Sequence, residues 1–107
     1  MDMLEEIYRL VKMLPKEETY ALSDQMRRCA VSIPSNIAEG HGRYSLKEFI
    51  KFLAIARGSN SELNTQLKIG LRVGYFTTED VDRALKLNYE VGKMLSSLML
   101  KMGKSVG

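Results

Sequence analysis

The clearest helix signal in the chain lies at positions 45–74, which read SLKEFIKFLAIARGSNSELNTQLKIGLRVG. The segment opens with Ser45 and Glu48 in the spacing of a capping box, in which each side chain satisfies a free backbone N–H of the first turn. It closes at Gly74, a residue type that commonly follows the end of a helix. One long helix is therefore predicted between these two ends.

Two helices are predicted before this segment. The first spans Met3–Leu14, where apolar residues recur at the spacing of an amphipathic helix, and it stops because Pro15 disfavours helical geometry in its predecessor. The second starts at Ser23, a good N-cap residue, and its apolar stripe continues past Pro34. Because a proline inside a helix removes one backbone hydrogen bond, a bend at Pro34 is predicted.

The remaining boundaries follow from glycines and acidic residues. Gly40 and Gly42 are predicted to end the second helix, since glycine adopts left-handed geometry at low cost. The last helix is predicted to start at Thr77, with Glu79 and Asp80 in a first turn that favours negative charge. Two hydrophobic staples are predicted at helix starts, namely Tyr44 with Phe49 and Phe76 with Val81.

Four helices joined by short loops, with no competing strand-like alternation, define the predicted fold class. We expect an all-α protein, an antiparallel up-down four-helix bundle with a proline-kinked second helix. A length of 107 residues, 45% hydrophobic and 27% charged, suits one globular domain spanning positions 1–107.

Composition narrows the setting but not the activity. A net charge of +3 is too mild to establish nucleic-acid binding by itself. No apolar run reaches the length of a membrane span, and the acidic N-terminal segment is unlike a signal peptide. A single cysteine excludes an internal disulfide framework and fits a reducing compartment. We therefore expect a cytoplasmic protein with no membrane partner.

A helical projection of positions 46–73 separates a core side from a basic side. The core side holds Phe49, Phe52, Leu53, Ala56, Leu63, Leu67 and Gly70, and the opposite side holds Lys47, Lys51, Lys68 and Arg72. A basic stripe on one helix is the footprint expected of a surface that contacts phosphates. Together with Arg28, these four are the candidate nucleic-acid-binding residues. A solvated helix face remains the alternative interpretation.

A second feature of the same helix concerns subunit contacts. Ile55, Glu62 and Ile69 repeat every seven residues and lie away from the core side. Such a spacing is typical of a helix–helix seam with another subunit, although isolated exposed apolar residues are also normal. A buried Glu62 would need a basic partner, for which Arg57 of the same or a neighbouring chain is the candidate.

Residues that could support catalysis are sparse. His41 is the sole histidine and Cys29 lies on an apolar stripe, so neither a metal site nor a nucleophile is indicated, and no cofactor is expected. The densest polar cluster runs from position 32 to 43 and includes Asn36, Glu39 and Arg43. It either repairs backbone groups freed by Pro34 or contacts a ligand directly. We expect a protein that is not an enzyme.

Two blocks of the sequence carry a resemblance to a known family. Positions 32–43, SIPSNIAEGHGR, and positions 49–59, FIKFLAIARGS, followed by Glu62-Leu63 and Thr65-Gln66-Leu67, resemble the 23S ribosomal RNA intervening-sequence protein family. The resemblance is strong from Leu14 to Gly74 and assigns Pro34, Asn36, Glu39 and Arg43 to a structural motif.

The resemblance implies a homopentamer of four-helix bundles, in which Ile55, Arg57, Glu62 and Ile69 belong to the subunit interface. The family includes proteins encoded within ribosomal RNA gene insertions and the accessory variability proteins of diversity-generating retroelements. The latter bind nucleic acid and associate with a reverse transcriptase. We therefore expect an oligomer that binds RNA or DNA. The alternative is a protein-binding adaptor, such as the accessory subunit of a reverse transcriptase.

Overall fold

Four long helices make up most of the computed structural model, which describes residues 2–106 and the side chains of residues 2–104. They are α1 (Asp2–Val11), α2 (Leu22–His41), α3 (Leu46–Arg72) and α4 (Thr78–Val106), with a short 3-10 helix at Lys16–Glu18 and no strand in this range. Helices α1 and α3 each pack against both α2 and α4. The all-α four-helix class is confirmed, while the up-down direction of the helices stays a prediction.

The first helix ends earlier than predicted. Its last residue is Val11, and the hydrogen bonds from Met13 to Leu10 and from Leu14 to Val11 have the tighter spacing of a 3-10 turn. Leu14 precedes Pro15, whose ring disfavours the helical region for its neighbour. The chain therefore tightens and leaves the helix one turn before the proline.

The predicted N-cap at Ser23 is wrong. Helix α2 begins at Leu22 after Ala21, and Ser23 is buried in the first turn without capping it. The Leu22 N–H instead donates to the Glu18 carboxylate at 3.4 Å. The hydroxyl of Tyr75 donates to the same carboxylate at 2.7 Å, so the 3-10 helix supplies the cap and Tyr75 holds it.

Helix α2 runs without interruption through Pro34, and the bend stays a prediction. Its end differs from the prediction, because Gly40 is still helical and Gly42 has a φ of −78°. Gly40 is needed for space, since a Cβ there would lie 2.7 Å from the Cβ of Phe52 on α3. The positive φ among the described residues occurs at Gly74, with a value of 87°, where α3 ends.

The starts of α3 and α4 follow the predicted caps. The Ser45 hydroxyl accepts from the Glu48 N–H at 3.3 Å, while the reciprocal bond predicted for the Glu48 carboxylate is not formed within the described residues. Thr77 and Asp80 form a reciprocal box, with the Thr77 N–H donating to the carboxylate at 2.8 Å and the Asp80 N–H donating to the hydroxyl at 3.1 Å. Hydrogen bonding from the Thr77 backbone, and then from its side chain, to the Asp80 carboxylate lowers the pKa of Asp80. The staple at Tyr44 is wrong, because that side chain is fully exposed.

The hydrophobic core is divided along the bundle into two clusters. The larger one joins α1, α2, the second half of α3 and the start of α4, and it includes Ile7, Met26, Leu63, Leu67 and Val81. The smaller one contains Leu53, Ala56 and Leu95, with half-buried Phe49, Leu98, Met99 and Met102 packed against it. The buried or half-buried polar residues Ser59, Asn60 and Asn88 lie at sequence positions between the two.

The short α1 covers the bundle unevenly. Its ten residues span about 15 Å, whereas the longest dimension of the molecule is 46 Å. The core residues of α1 all belong to the larger cluster, and no residue of α1 belongs to the smaller one. The smaller cluster therefore lies among three helices, and its outer apolar side chains remain half-buried. Among the described residues no helix is both long and apolar enough to cross a membrane.

Candidate nucleic-acid interface

Helix α3 is central to the molecule and presents the candidate basic residues. The core side of α3 is fully buried, as its apolar pattern predicts, at Leu53, Ala56, Leu63 and Leu67. Lys47, Lys51, Lys68 and Arg72 are exposed, and none of them forms an ion pair with any residue in the range 2–104. Because no carboxylate neutralises these four exposed cations, they are available to attract an anionic ligand.

These cations form two groups rather than a continuous stripe. Lys47 and Lys51 lie in the first two turns of α3, and Lys68 and Arg72 lie in the last two. Lys51 and Lys68 are 17 positions apart, which corresponds to about 25 Å along the helix. The face between them holds the uncharged residues Ala54, Gly58, Ser61 and Thr65, so these four cations lie toward the two ends of the helix.

The fifth candidate, Arg28, differs from the other four. Its guanidinium lies 3.2 Å from the Asp24 carboxylate one turn earlier on α2, and its side chain is 80% exposed. An exposed pair of this kind contributes little stability but reduces the local charge. Arg28 is therefore accessible to a ligand, but it attracts an anion less strongly than the four unpaired cations of α3.

The middle of α3 carries the predicted seam. Ile55 and Ile69 are 51% and 46% exposed, so both present apolar surface to solvent. Glu62 between them is exposed, and its carboxylate lies 3.6 Å from the Cys29 sulfur on α2. This flank of α3 therefore borders α2.

Arg57 lies on the opposite flank. It is about 140° around the helix from Glu62, and no ion pair joins the two within the described chain. The proposed pairing of Arg57 with Glu62 inside one chain is therefore wrong. A pairing between two subunits stays a prediction.

Cys29 is buried between α2 and α3. The Gln66 side-chain amide donates to its sulfur at 3.4 Å, and burial raises the pKa of the thiol. The Gln66 carbonyl oxygen is a buried acceptor without a partner among the described residues. A thiol with a raised pKa is a poor nucleophile, in agreement with the sequence interpretation.

The polar cluster at positions 32–43 includes a contact between two helices. The Ser32 and Ser59 hydroxyls lie 2.8 Å apart, and the Asn36 amide donates to the Ser32 hydroxyl and carbonyl at 2.9 and 2.8 Å. The carbonyl freed by Pro34 would be that of Ala30, four residues earlier, so these bonds do not repair it. The Ser32–Ser59 contact instead joins α2 to α3, and the Asn36 amide holds the Ser32 hydroxyl from within α2.

The end of this cluster closes the loop between α2 and α3. Arg43 pairs with Glu39 at 2.6 Å, and its guanidinium carbon lies 5.0 Å from the centre of the Phe52 ring. His41 is exposed and packs edge-on against Phe49 at 5.8 Å. Within residues 2–104 no three His, Cys, Asp or Glu side chains are grouped as a metal site would require.

The structure also shows a groove that the sequence interpretation missed. It lies between α3 and α4, has a volume of about 450 Å³, and is lined by Arg57, Asn64, Tyr89 and Lys93 among other residues. No carboxylate lines it. Asn88, which interrupts the apolar stripe of α4, was the available sequence signal, but the register between α3 and α4 was needed to bring these residues together.

Comparisons with known proteins place the chain among similar molecules. A family model described as 23S rRNA-intervening sequence protein matches residues 1–97. A crystal structure of a protein of unknown function from the S23 ribosomal protein family of Bacteroides thetaiotaomicron is 29% identical, covers 92% of each chain and gives a TM-score of 0.84. No curated protein matches the chain. The similar structure supports the all-helical fold.

Proposed function

The chain belongs to the 23S rRNA-intervening sequence protein family, and we propose that it is a non-enzymatic homo-oligomer that binds structured RNA. The observation that carries this proposal is the set of exposed cations on α3, Lys47, Lys51, Lys68 and Arg72, which lack carboxylate partners in the described chain. Unpaired surface cations attract phosphates and release counterions when they bind them.

Assembly strengthens this electrostatic argument. One copy carries only +3, but five copies would together carry about +15 and would display five such helices. The two cation groups on each α3 lie about 25 Å apart, so a folded RNA can contact both while a short ligand cannot. The proposal therefore favours an extended nucleic acid over a small anion.

Self-association is supported by the uneven cover of the core. The smaller hydrophobic cluster lacks a fourth helix, and Leu98, Met99 and Met102 remain half-buried there. Ile55 and Ile69 add exposed apolar surface on α3. Another copy of the chain would bury both regions, and the free energy gained scales with the apolar area removed from water.

The assembly is tested by measuring mass in solution. Wild-type protein is expected at a multiple of 12.1 kDa, with five copies at about 60 kDa. The double variant Ile55→Asp, Ile69→Asp should dissociate, while Tyr20→Asp, a change at a 94% exposed residue outside α3, should not. An unchanged mass for the double variant would place the subunit contact elsewhere.

Nucleic-acid binding is tested with a labelled RNA hairpin by fluorescence anisotropy at several salt concentrations. Replacing Lys47, Lys51, Lys68 and Arg72 with glutamine should weaken binding by about tenfold or more and flatten the salt dependence. A control replaces four cations elsewhere, Lys12, Lys16, Arg83 and Lys86, with the same change in net charge.

Two results would contradict the RNA-binding proposal. Equal losses in the two variants would show that net charge, rather than the α3 face, governs binding. No binding by the intact wild-type oligomer at about 50 mM salt would remove the proposal and leave the protein-adaptor alternative.

A further inference from the structure

The groove between α3 and α4 is an open surface depression lined mainly by polar residues. Its volume of about 450 Å³ lies within the range of small-molecule pockets, and it is open to solvent. Its walls are uncharged polar groups and one glycine, apart from the two cations Arg57 and Lys93. A groove with two cations and no carboxylate favours an anionic ligand.

The floor of the groove is held rigid by a network of asparagines. The Asn60 amide donates to the Asn88 carbonyl at 2.9 Å, and the Asn88 amide donates to the Asn60 carbonyl and side-chain oxygen at 2.8 and 2.9 Å. The Asn64 amide donates to the Asn88 side-chain oxygen at 2.8 Å. Both buried asparagines are thus committed to each other, and the groove keeps its shape without a ligand.

One wall of the groove offers an aromatic surface beside a positive charge. Tyr89 is 68% exposed, and the Lys93 ammonium lies 5.6 Å from the centre of its ring. Arg57 faces them from α3, is exposed, and has no ion pair with any residue in the range 2–104. An exposed ring that shares a groove with two cations can stack a base while the cations contact the adjoining phosphate.

We infer that this groove binds a single unpaired nucleotide of RNA or DNA, with its base on Tyr89 and its phosphate at Arg57 and Lys93. The inference rests on the proposed function and names the part of the nucleic acid that enters the protein. A base must be free of its partner to stack on a side chain, so the ligand is a loop, a bulge or a single strand. The cations of α3 then contact the flanking backbone.

The experiment compares three labelled RNA probes of matched length. They are a single strand, a hairpin with a six-nucleotide loop and a blunt duplex without unpaired bases. Tyr89→Ala should weaken binding of the single strand and the hairpin by about tenfold or more and change duplex binding by less than about twofold. Tyr89→Phe keeps the ring and should bind like wild type.

The phosphate contacts are tested by Arg57→Gln and Lys93→Gln. Each should weaken single-strand binding and reduce its salt dependence, because each removes one phosphate contact. Lys86→Gln on the same helix is the matched control, since Lys86 is exposed, pairs with Asp82 and does not line the groove. All these side chains are exposed, so the variants should fold.

The outcomes separate this inference from the proposed function. If Tyr89→Ala binds every probe like wild type while the four-cation variant of α3 loses binding, the groove inference is overturned and RNA binding stands. If wild type binds no probe, both fall. If Tyr89→Ala lowers the mass of the oligomer in solution, the groove is a subunit contact and the inference is overturned.

Discussion

The two sides of α3 meet their neighbours in different ways. Ser59 and Asn60 are adjacent in the chain, yet Ser59 contacts Ser32 of α2 and Asn60 contacts Asn88 of α4. Both contacts are polar, and on α3 both residues lie at sequence positions between the two hydrophobic clusters. On the α2 side the helices close on each other, whereas on the α4 side an open groove remains.

The difference follows from the side chains at the contact of α3 with α2, the α2 seam, and at its contact with α4, the α4 seam. Gly40 allows the backbone of α2 to approach α3 so closely that a methyl group would clash with Phe52. Gly92 on α4 also leaves space, and the side-chain amide of Asn60 occupies it, 3.3 Å from where a Cβ of residue 92 would lie. At Gly40 the missing side chain lets α2 pack closely against Phe49 and Phe52, whereas at Gly92 it makes room for a long carboxamide.

The largest effect is expected from adding a methyl group at Gly40, where α2 and α3 pack most tightly. Gly40→Ala should lower the free energy of unfolding by about 2 kcal/mol or more, because the new methyl meets a Cβ that cannot rotate away. Chemical denaturation followed by circular dichroism measures this. Gly58→Ala is the control and should stabilise the protein by about 0.5–1 kcal/mol, since that helical position has open space around it.

The α4 seam is broken by removing its central asparagine. Asn88→Ala should cost about 1–3 kcal/mol, because buried groups of Asn60 and the amide of Asn64 lose their partner. The same denaturation measurement applies. A cost below about 0.5 kcal/mol would mean that water replaces the lost bonds and that the seam is wet throughout.

Thiol chemistry should distinguish the closed seam from the open one. Cys29 at the α2 seam is buried with a raised pKa, so it should react slowly with a disulfide reagent at pH 8. Its rate should keep rising at higher pH as the thiolate forms. A cysteine introduced as Ser96→Cys, with Cys29→Ser, should react at least about tenfold faster because Ser96 is exposed in the groove. Equal rates would show that the groove is covered in the native protein.

The smallest effect is expected from the serine contact. Ser59→Ala should cost only about 0.5–1 kcal/mol, because the Ser32 hydroxyl keeps the amide of Asn36 as a partner. Denaturation of this variant beside Asn88→Ala compares the two seams directly. A cost equal to that of Asn88→Ala would contradict the distinction between them.

Local signals predicted the helices well where the cap residues are close in sequence. The Ser45 cap and the Thr77 start are confirmed, because each depends on residues three positions apart. The start of α2 was missed because its cap is Glu18, in a separate 3-10 helix that Tyr75 orients from a distant loop. Glu18 lies only four positions before Leu22, but its capping role depends on the 3-10 turn and on Tyr75, so no standard capping motif marks it.

The candidate site was predictable only in part for a similar reason. A projection of α3 alone correctly separated the exposed cations from the buried leucines. It could not place Arg57 beside Tyr89 and Lys93, since that requires the register between α3 and α4. The pairing of Arg57 with Glu62 within one chain was also wrong, since the two lie on opposite flanks of the helix, while their pairing between subunits stays a prediction.

The proposed function as a whole depends on an oligomer that holds RNA. Native mass spectrometry of the full chain, with and without the RNA hairpin, tests this most directly. We predict a particle at a multiple of 12.1 kDa, about 60 kDa for five copies, that gains the mass of the RNA and loses it as the salt concentration rises. A single copy at micromolar concentration that gains no mass from the hairpin would contradict it.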